Sequence, residues 1–548
     1  MRSAWTKPVS SVELPVVWDV EVDVAVVGFG GAGSAAALEA RTAGAEVLIV
    51  ERFGGGGSSR LSGGVVYMGG GTRHQQDAGV DDSPEQMQRY LEQEVGDVVR
   101  PETLRRFCVE SASLSDWIER QGVPLGGELC PFKTSYPVSR YTLYYSGNEG
   151  AYPYSERARP APRGHRVRGR GMPGGNLYRA LKASVMKQGI RVLPRTRATR
   201  LWSDEQGRVI GLRALRLGGL RGGAHRLLGG LVYLSRYALL AAPPLGRLAQ
   251  GLFRWLERGG RPIDIRARGG VVLAAGGFIH NREMVARLAP AYESATPLGA
   301  LGDDGSGIAL GQSLGGQTGE MDRISAWRFI NPPLSFAQGL LVGPSGGRVC
   351  SEELYGAVIG EKMALEHGGR CWLVIDRRLW WRAHRQLGPG RANWFQSVPA
   401  LVNLYVNIRR GRTAAALAKR IGVDPDGMER TLEAYNAIAR DGTADPLGKS
   451  RELIEPLEGT LFAIDCSLGS WLFTCAALTL GGLKVDEDTG RVKDATERPI
   501  QGLYAAGRSA VGITSRGYVS GLSIADALFS GRRAGQDAAR RRADPTPQ

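Results

Sequence analysis

Residues 22–51 read VDVAVVGFGGAGSAAALEARTAGAEVLIVE. The stretch opens on an apolar run, 22–27, interrupted by one aspartate, which predicts a buried parallel strand. Gly28-Phe-Gly30-Gly31-Ala-Gly33 follows, then an alanine-rich helical stretch, 34–42, then a second apolar run, 46–51, that ends on Glu51. Strand, glycine turn, helix and strand make a complete βαβ unit. The spaced glycines permit a tight turn and let backbone N–H groups reach a pyrophosphate at the helix N-terminus. An acid at the end of the second strand is placed to accept hydrogen bonds from ribose hydroxyls. The stretch therefore predicts a Rossmann-type dinucleotide site, with Gly28, Gly30, Gly31, Gly33 and Glu51 on the ligand.

Beyond Glu51 the chain passes through Arg52 into a glycine- and serine-rich segment, 54–72, which contains Ser58-Ser-Arg-Leu-Ser-Gly-Gly64. A second glycine cluster directly after the acid-bearing strand reads as a loop packed on the ligand. It adds Arg52, Ser58, Ser59, Ser62, Gly63 and Gly64 to the candidate contacts. Two later elements return to the same place. One is the strand 268–275, which ends on Ala275 before Gly276-Gly277. The other is Leu503-Tyr-Ala-Ala-Gly507, followed by Ser523 and Ile524 at the head of a helix expected over 521–541. Separate glycine elements spread along the whole chain suit a long cofactor buried between domains, which favours FAD over NAD.

At 548 residues the chain exceeds one ordinary core. The expected layout is α/β: a Rossmann-type FAD-binding domain in two parts, 1–299 and 466–548, with an inserted α+β catalytic domain over 300–465. Within it the pattern predicts helix over 83–125, an aromatic and arginine-rich excursion over 126–170, and helices at 176–187 and 427–440. Strands are expected at 190–194, 208–216 and 371–376. Residues 1–20 and 539–548 read as irregular. The six cysteines form no CxxC pair and the six histidines no ligand-spaced pair, so no metal is expected. Unpaired cysteines and the absence of a basic-then-apolar leader fit a reducing cytoplasm. No apolar run reaches the ~18–20 residues of a membrane span. The net charge is +16, but no nucleic-acid module accompanies it, and nucleic acid is not an expected partner.

On these motifs the chain resembles the flavoprotein superfamily of fumarate reductases and 3-ketosteroid dehydrogenases, with matches at 22–72, 170–200, 268–280, 300–356 and 478–535. Covalently flavinylated members use a histidine in the serine–glycine loop. Here 54–72 has none, so the resemblance implies non-covalent FAD. The reductases hold a dicarboxylate through a histidine in His-Thr-Met-Gly-Gly-Leu-Lys and an arginine in Arg-Leu-Gly-Gly-Asn-Ala. The corresponding stretches here are Leu478-Thr-Leu-Gly-Gly-Leu-Lys484 and Tyr518-Val-Ser-Gly-Leu-Ser523. Leu478 and Tyr518 replace the two cationic positions, which disfavours a charged substrate and suits an apolar ketone. Tyr518-Val-Ser520 is similar to the Δ4-(5α)-dehydrogenases. Those pair it with a tyrosine after an acidic stretch, and Ser351-Glu-Glu-Leu-Tyr355 supplies that candidate.

The chemistry implied is removal of a proton from C4 and a hydride from C5 of a 3-ketosteroid. Tyr518, with the Gly521 N–H, would hold the C3 oxygen as charge develops on it. Ser520 would take the proton, relayed by Tyr355. Tyr144 and Tyr145, with Tyr136 and Tyr141, are candidates for the aromatic wall around the steroid. His165 reads as a turn cap or a cofactor neighbour. An unidentified electron acceptor must take the electrons onward. Three alternatives stand beside this reading: the Δ1-dehydrogenases, a fumarate- or enoate-type reductase, and a non-catalytic flavin-binding membrane protein.

Residues 217–262 interrupt what would be a direct strand-to-strand return. From 216 to 264 there are eight arginines against two acids. Residues 227–240 and 245–256 each read as an amphipathic helix, split by Pro243-Pro244. A basic, leucine-rich hairpin with Tyr233, Tyr237, Phe253 and Trp255 suits a peripheral contact with the inner face of a membrane. A helical pair packed on the protein's own surface is the alternative.

Overall fold

The first apolar run forms the strand Val20–Val27, whose last four residues are all buried. It pairs in parallel with Val47–Val50 on one side and with Arg261–Leu273 on the other, in the registers Val24 to Val47 and Val27 to Leu273. Burial on both faces explains why these strands read as continuous apolar runs and not as alternating ones. Arg191–Leu193 and Pro499–Ala505 extend the sheet in parallel, and Arg491–Lys493 adds an antiparallel edge. Strands from both ends of the chain thus share one sheet. The computed structural model describes residue 15, residues 17–388 and residues 390–541. Of the segments expected to be irregular, 1–20 and 539–548, residues 1–14, 16 and 542–548 lie outside the described residues, whereas Val20 begins the first strand and residues 539–540 end a helix.

Helix Gly31–Thr42 follows the glycine turn, and helix Leu522–Arg540 packs alongside it. The contact is backbone on backbone. A side chain at Gly531 would strike the Ala32 carbonyl oxygen, and one at Gly535 the Ala36 carbonyl oxygen. Gly33 is held in the same way against the Gly28 carbonyl oxygen, so it closes the turn and does not face the ligand.

The second body is built on an antiparallel sheet of Leu340–Val342, Trp372–Asp376, Leu461–Asp465 and Ile408–Gly411. A small mixed sheet of Thr296–Pro297, Ala476–Thr479 and Ile324–Trp327 ties the chain's entry into this body to its exit. This is the α/β, Rossmann-type arrangement with an inserted α+β body that the sequence predicts.

Several elements differ from expectation. The ligand loop 54–72 contains a short helix, Gly57–Leu61, and a strand, Val65–Tyr67, paired with Gly164–Arg166, which is itself flanked by Leu143–Tyr144. The helical stretch 83–125 is two helices, Pro84–Val95 and Pro101–Arg120, each opened by its proline. A strand, Thr196–Ser203, precedes Val209–Arg216; its alternation of buried and part-exposed residues marks a one-sided strand that the apolar-run criterion passes over. The basic insertion is three helices, Gly219–Leu234, Arg236–Ala241 and Pro243–Glu257. Pro243 and Pro244 start the third, because the first helical turn has no use for their missing N–H groups.

Lengthening the Gly535 side chain tests the helix pair. Gly535→Leu is expected to cost about 1–3 kcal/mol by overpacking and to lower the thermal midpoint. Gly230→Ala, whose new methyl meets open space, is expected to be neutral or mildly stabilising. Equal midpoints for the two variants would contradict the contact.

Candidate active site

A cavity of about 750 Å³ runs between the nucleotide sheet and the second body. At one end it is lined by Gly28, Gly30, Gly31, Glu51, Arg52, Ser58, Ser59, Ser62, Gly63, Ala275, Gly507, Ser523 and Ile524. At the other it is lined by Leu298, Trp327, Phe329, Tyr355, Leu478, Tyr518 and Ser520. No histidine or cysteine lines it among the described residues.

The nucleotide end has the chemistry of a dinucleotide cradle. Helix Gly31–Thr42 has Gly30 at its N-cap and therefore no N-cap side chain. Helix Leu522–Arg540, with Gly521 at its N-cap, likewise has no side-chain cap at its N-terminus. Both termini border the cavity, so two positive helix ends face it. The buried Glu51 carboxylate is oriented by the Phe29 N–H, which donates to Oε2 at 2.8 Å, and the Phe53 N–H, which donates to Oε1 at 2.7 Å. Burial raises its pKa and these backbone donors lower it in part. Ser59 Oγ accepts from the Gly31 N–H at 3.1 Å and fixes the serine loop against the glycine turn. The buried Arg508 Nη1 has no hydrogen-bond partner. An FAD molecule, with its pyrophosphate, ribose and ring carbonyls, matches this donor set.

Some expected contacts do other work. Arg52 donates to Glu257 at 2.7 Å and to Asp304 at 2.7 Å, so its charge anchors the helical insertion and the 302–305 loop. Ser58 Oγ donates to Asp303 at 2.6 Å and accepts from the Ala300 N–H at 2.9 Å, while Arg508 shares the same Asp303 oxygen at 2.6 Å. Both Arg52 and Ser58 border the cavity, but their polar atoms are already engaged. Gly64 lies against Pro173 and Gly174, off the cavity wall. Sequence reasoning missed Asp303 and Arg508, although the acid pair in Gly302-Asp-Asp-Gly305 is a visible signal.

At the other end, Tyr518, Leu478, Leu480, Tyr355 and Ala357 form one buried apolar cluster with Leu298, Trp327 and Phe329 against it. The Tyr518 ring stacks on Trp327 at 5.1 Å, and Tyr355 meets Phe329 edge-on at 5.2 Å. Burial pushes the Tyr518 phenol well above the ordinary tyrosine range, opposed in part by the Gly521 N–H and the Arg508 charge. It is therefore a hydrogen-bond donor at neutral pH. Ser520 Oγ lies 3.1 Å from the Tyr144 hydroxyl. Burial raises both Tyr355 and Tyr144, and in each a hydrogen bond with Ser520 lowers the value in part. Ser520 thus stands between two phenols. The backbone holds it there: Ser520 N–H donates to the Ser146 carbonyl at 3.2 Å, and Tyr355 N–H donates to Asn148 Oδ1 at 2.6 Å.

Tyr144 is a partner of Ser520 and not a wall of the cavity. Tyr145 points the other way along the chain, into a small separate cavity beside Lys133 and Glu352. Gly521 turns the chain into the helix with φ of +94° and packs on the Tyr67 backbone, with its N–H near Tyr518 and its Cα off the wall. Tyr136 is part of the wall, and Tyr141 is not. His165 is buried, within 2.9 Å of Thr72 Oγ1 and 3.1 Å of the Arg163 carbonyl oxygen, away from the cavity. Among the described residues three arginines line the cavity, and each shares a carboxylate: Arg52 and Arg197 with Glu257, Arg508 with Asp303.

The chain is 41% identical over 503 residues to the 3-oxo-5-alpha-steroid 4-dehydrogenase of Comamonas testosteroni, covering 90% of this chain and 93% of that one. It is 27% identical to the 3-oxosteroid 1-dehydrogenase of Mycolicibacterium smegmatis, covering 95% and 97%. Among solved structures it superposes with a TM-score of 0.80 on the 3-ketosteroid-Δ4-(5α)-dehydrogenase of Rhodococcus jostii RHA1 in complex with 4-androstene-3,17-dione. That match has 30% identity and covers 96% of this chain and 98% of that one. The model of the FAD binding domain matches residues 23–521. A chain with this fold, this cradle and a family match over nearly its whole length belongs to the FAD-binding-domain flavoproteins.

Proposed function

We propose that the protein is an FAD-dependent 3-ketosteroid dehydrogenase that desaturates the C4–C5 bond of 5α-3-ketosteroids. The single observation that carries this reading is the cluster in which Leu478 packs with Tyr518 and Tyr355. A dicarboxylate needs cations, and the arginines of the cavity already hold carboxylates. A fused apolar ring system with one ketone needs an apolar slot and one or two donors, which is what the cluster provides.

When bound, FAD supplies the acceptor for the C5 hydride. The chain's own residues do the rest. Tyr518 O–H and the Gly521 N–H donate to the C3 oxygen and stabilise the charge that builds there as C4 loses its proton. Ser520 Oγ takes the C4 proton while its own proton passes to Tyr355, which must first be ionised. Trp327, Phe329 and Leu298 exclude water from the slot. The product is the 4-ene-3-ketone, and the electrons leave to an acceptor outside this chain. Among the described residues neither histidine nor cysteine lines the cavity, which supports the reading of non-covalent FAD. Functionally, we divide the chain into FAD-binding parts 1–299 and 466–548 and a catalytic part 300–465.

A peripheral membrane contact through 217–262 belongs to the same proposal, on the cytoplasmic face. No helix among the described residues is long and apolar enough to cross a membrane. The insertion instead turns an apolar stripe outward. Leu227, Leu231 and Leu234 on its first helix and Leu245, Leu248, Leu252 and Trp255 on its third are all exposed. His225, Phe253 and Glu257 on the inner face dock it against Phe53 and Arg52. Arg226, Arg236, Arg247, Arg254 and Arg258 have no carboxylate partner among the described residues, so the outer face is cationic as well as apolar.

Removing the proposed donor gives the first test. Tyr518→Phe is expected to lower kcat by about 10²–10³-fold with little change in steroid binding, and full turnover would remove Tyr518 from the reaction. The second test is a pH profile. Because burial raises the Tyr355 pKa, its basic form gains population only as pH rises. Turnover is therefore expected to climb between about pH 7 and pH 10 and to lose that climb in Tyr355→Phe. An unchanged climb in the variant would transfer the relay to Tyr144.

A further inference from the structure

A second segment, far from the helical insertion in sequence, shares its chemistry. Residues 377–423 contain nine arginines, one lysine and no aspartate or glutamate. Residues 216–264 contribute a net charge of +6, so the two segments together carry the whole +16 of the chain and the remainder is balanced. Arg385, Arg391, Arg409, Arg410, Arg412 and Arg420 are exposed and pair with no carboxylate among the described residues.

At the centre of this run is helix Trp394–Tyr405. A surface helix normally hides one apolar face and solvates the other. This one buries Ala400, Asn403 and Leu404, and exposes Trp394 (62%), Val398 (53%), Leu401 (39%) and Tyr405 (61%). Those four are spaced four, three and four residues apart, so they form one continuous stripe.

The stripe runs into the mouth of the cavity. Trp394 and Val398 are both exposed and part of its wall, as are Tyr237 of the insertion and Trp471, which is 81% exposed. The Tyr237 and Trp394 rings meet edge-to-face at 5.5 Å, so the two cationic segments touch where the cavity opens. Exposed apolar surface at the entrance of an apolar cavity, on two segments rich in arginines without carboxylate partners, is complementary to an anionic bilayer: aromatic and aliphatic side chains enter the acyl boundary and arginines meet phosphate headgroups.

We infer that helix Trp394–Tyr405 and the insertion form one bipartite collar that seats the cavity mouth on an anionic lipid surface, so that the apolar substrate enters from the lipid phase. The inference rests on the membrane reading of 217–262 and extends it to a second contact and an entry route. Neither side chain of the test variant Leu401→Glu/Val406→Glu lines the cavity.

The FAD-loaded full chain is sedimented with phosphatidylglycerol/phosphatidylcholine vesicles and with pure phosphatidylcholine vesicles, and its turnover is measured with steroid in solution and with steroid loaded into the vesicles. The parent is expected to partition onto the anionic vesicles, less so at high salt. Leu401→Glu/Val406→Glu and the insertion variant Leu231→Glu/Leu248→Glu are each expected to lower that partition at least about tenfold. The helix variant should keep the parent's rate on dissolved steroid and lose rate on vesicle-loaded steroid in step with its partition. Should that variant lose its flavin, Arg409→Glu/Arg412→Glu makes the same test from the charged side. Parent-like partition of the helix variant, with loss in the insertion variant, would confine the contact to 217–262 and overturn the collar. Failure of the parent to bind any vesicle would overturn both readings, and retention by a single-stranded oligonucleotide instead would assign the charge to nucleic acid.

Discussion

The carbonyl oxygens of Ala32 and Ala36 lie where side chains of Gly531 and Gly535 would have to stand. That contact is the constraint on which the site depends. It brings a helix from the C-terminal end of the chain alongside the helix of the first βαβ unit. Because the two run side by side from the same end of the sheet, both N-termini border one cavity. Tyr518 and Ser520 immediately precede the second helix, so the same packing sets the distance between the dinucleotide cradle and their hydroxyls. Gly521, in the left-handed region and pressed on the Tyr67 backbone, fixes the last step of that placement.

The electrostatics of the cavity follow a simple division. Charges at its nucleotide end are used to build the protein: Arg52 joins the insertion to the 302–305 loop, and Asp303 gathers Ser58 and Arg508. The substrate end is left with phenols, an alcohol and apolar walls. In such a place a phenol stays protonated and its dipole is worth more than in water. Tyr518, stacked on Trp327 and next to the Gly521 N–H, is the phenol that burial keeps protonated there. Ser520 lies between two buried phenols, Tyr144 and Tyr355, whose pKa values burial raises and their hydrogen bonds with Ser520 lower in part.

Much of this was legible in the sequence where the determinant is local. Gly28–Gly33 with Glu51, and Tyr518 with Ser520, are short motifs whose spacing dictates their geometry. The roles of Arg52 and Ser58 were not legible, because their partners Glu257, Asp304 and Asp303 lie some two hundred residues or more away. The wall of the substrate end was also hidden: Leu298, Trp327, Phe329 and Trp471 come from separate elements and share no pattern. Tyr144 and Tyr145 were read together, but neighbouring residues of an extended chain face opposite ways, and only Tyr144 reaches Ser520. The basic insertion was visible as composition. Its acid-free counterpart at 377–423 gains meaning only when folding brings Trp394 to Tyr237.

The central claim is that this apolar, phenol-lined slot serves C4–C5 desaturation of a saturated 3-ketosteroid. It is tested most directly by mixing the oxidised, FAD-loaded protein anaerobically with 5α-androstane-3,17-dione and, separately, with 4-androstene-3,17-dione, and following the flavin absorbance. The account predicts rapid bleaching by the first, with 4-androstene-3,17-dione as product, and none by the second. Bleaching by the second steroid alone, with a 1,4-diene as product, would contradict it.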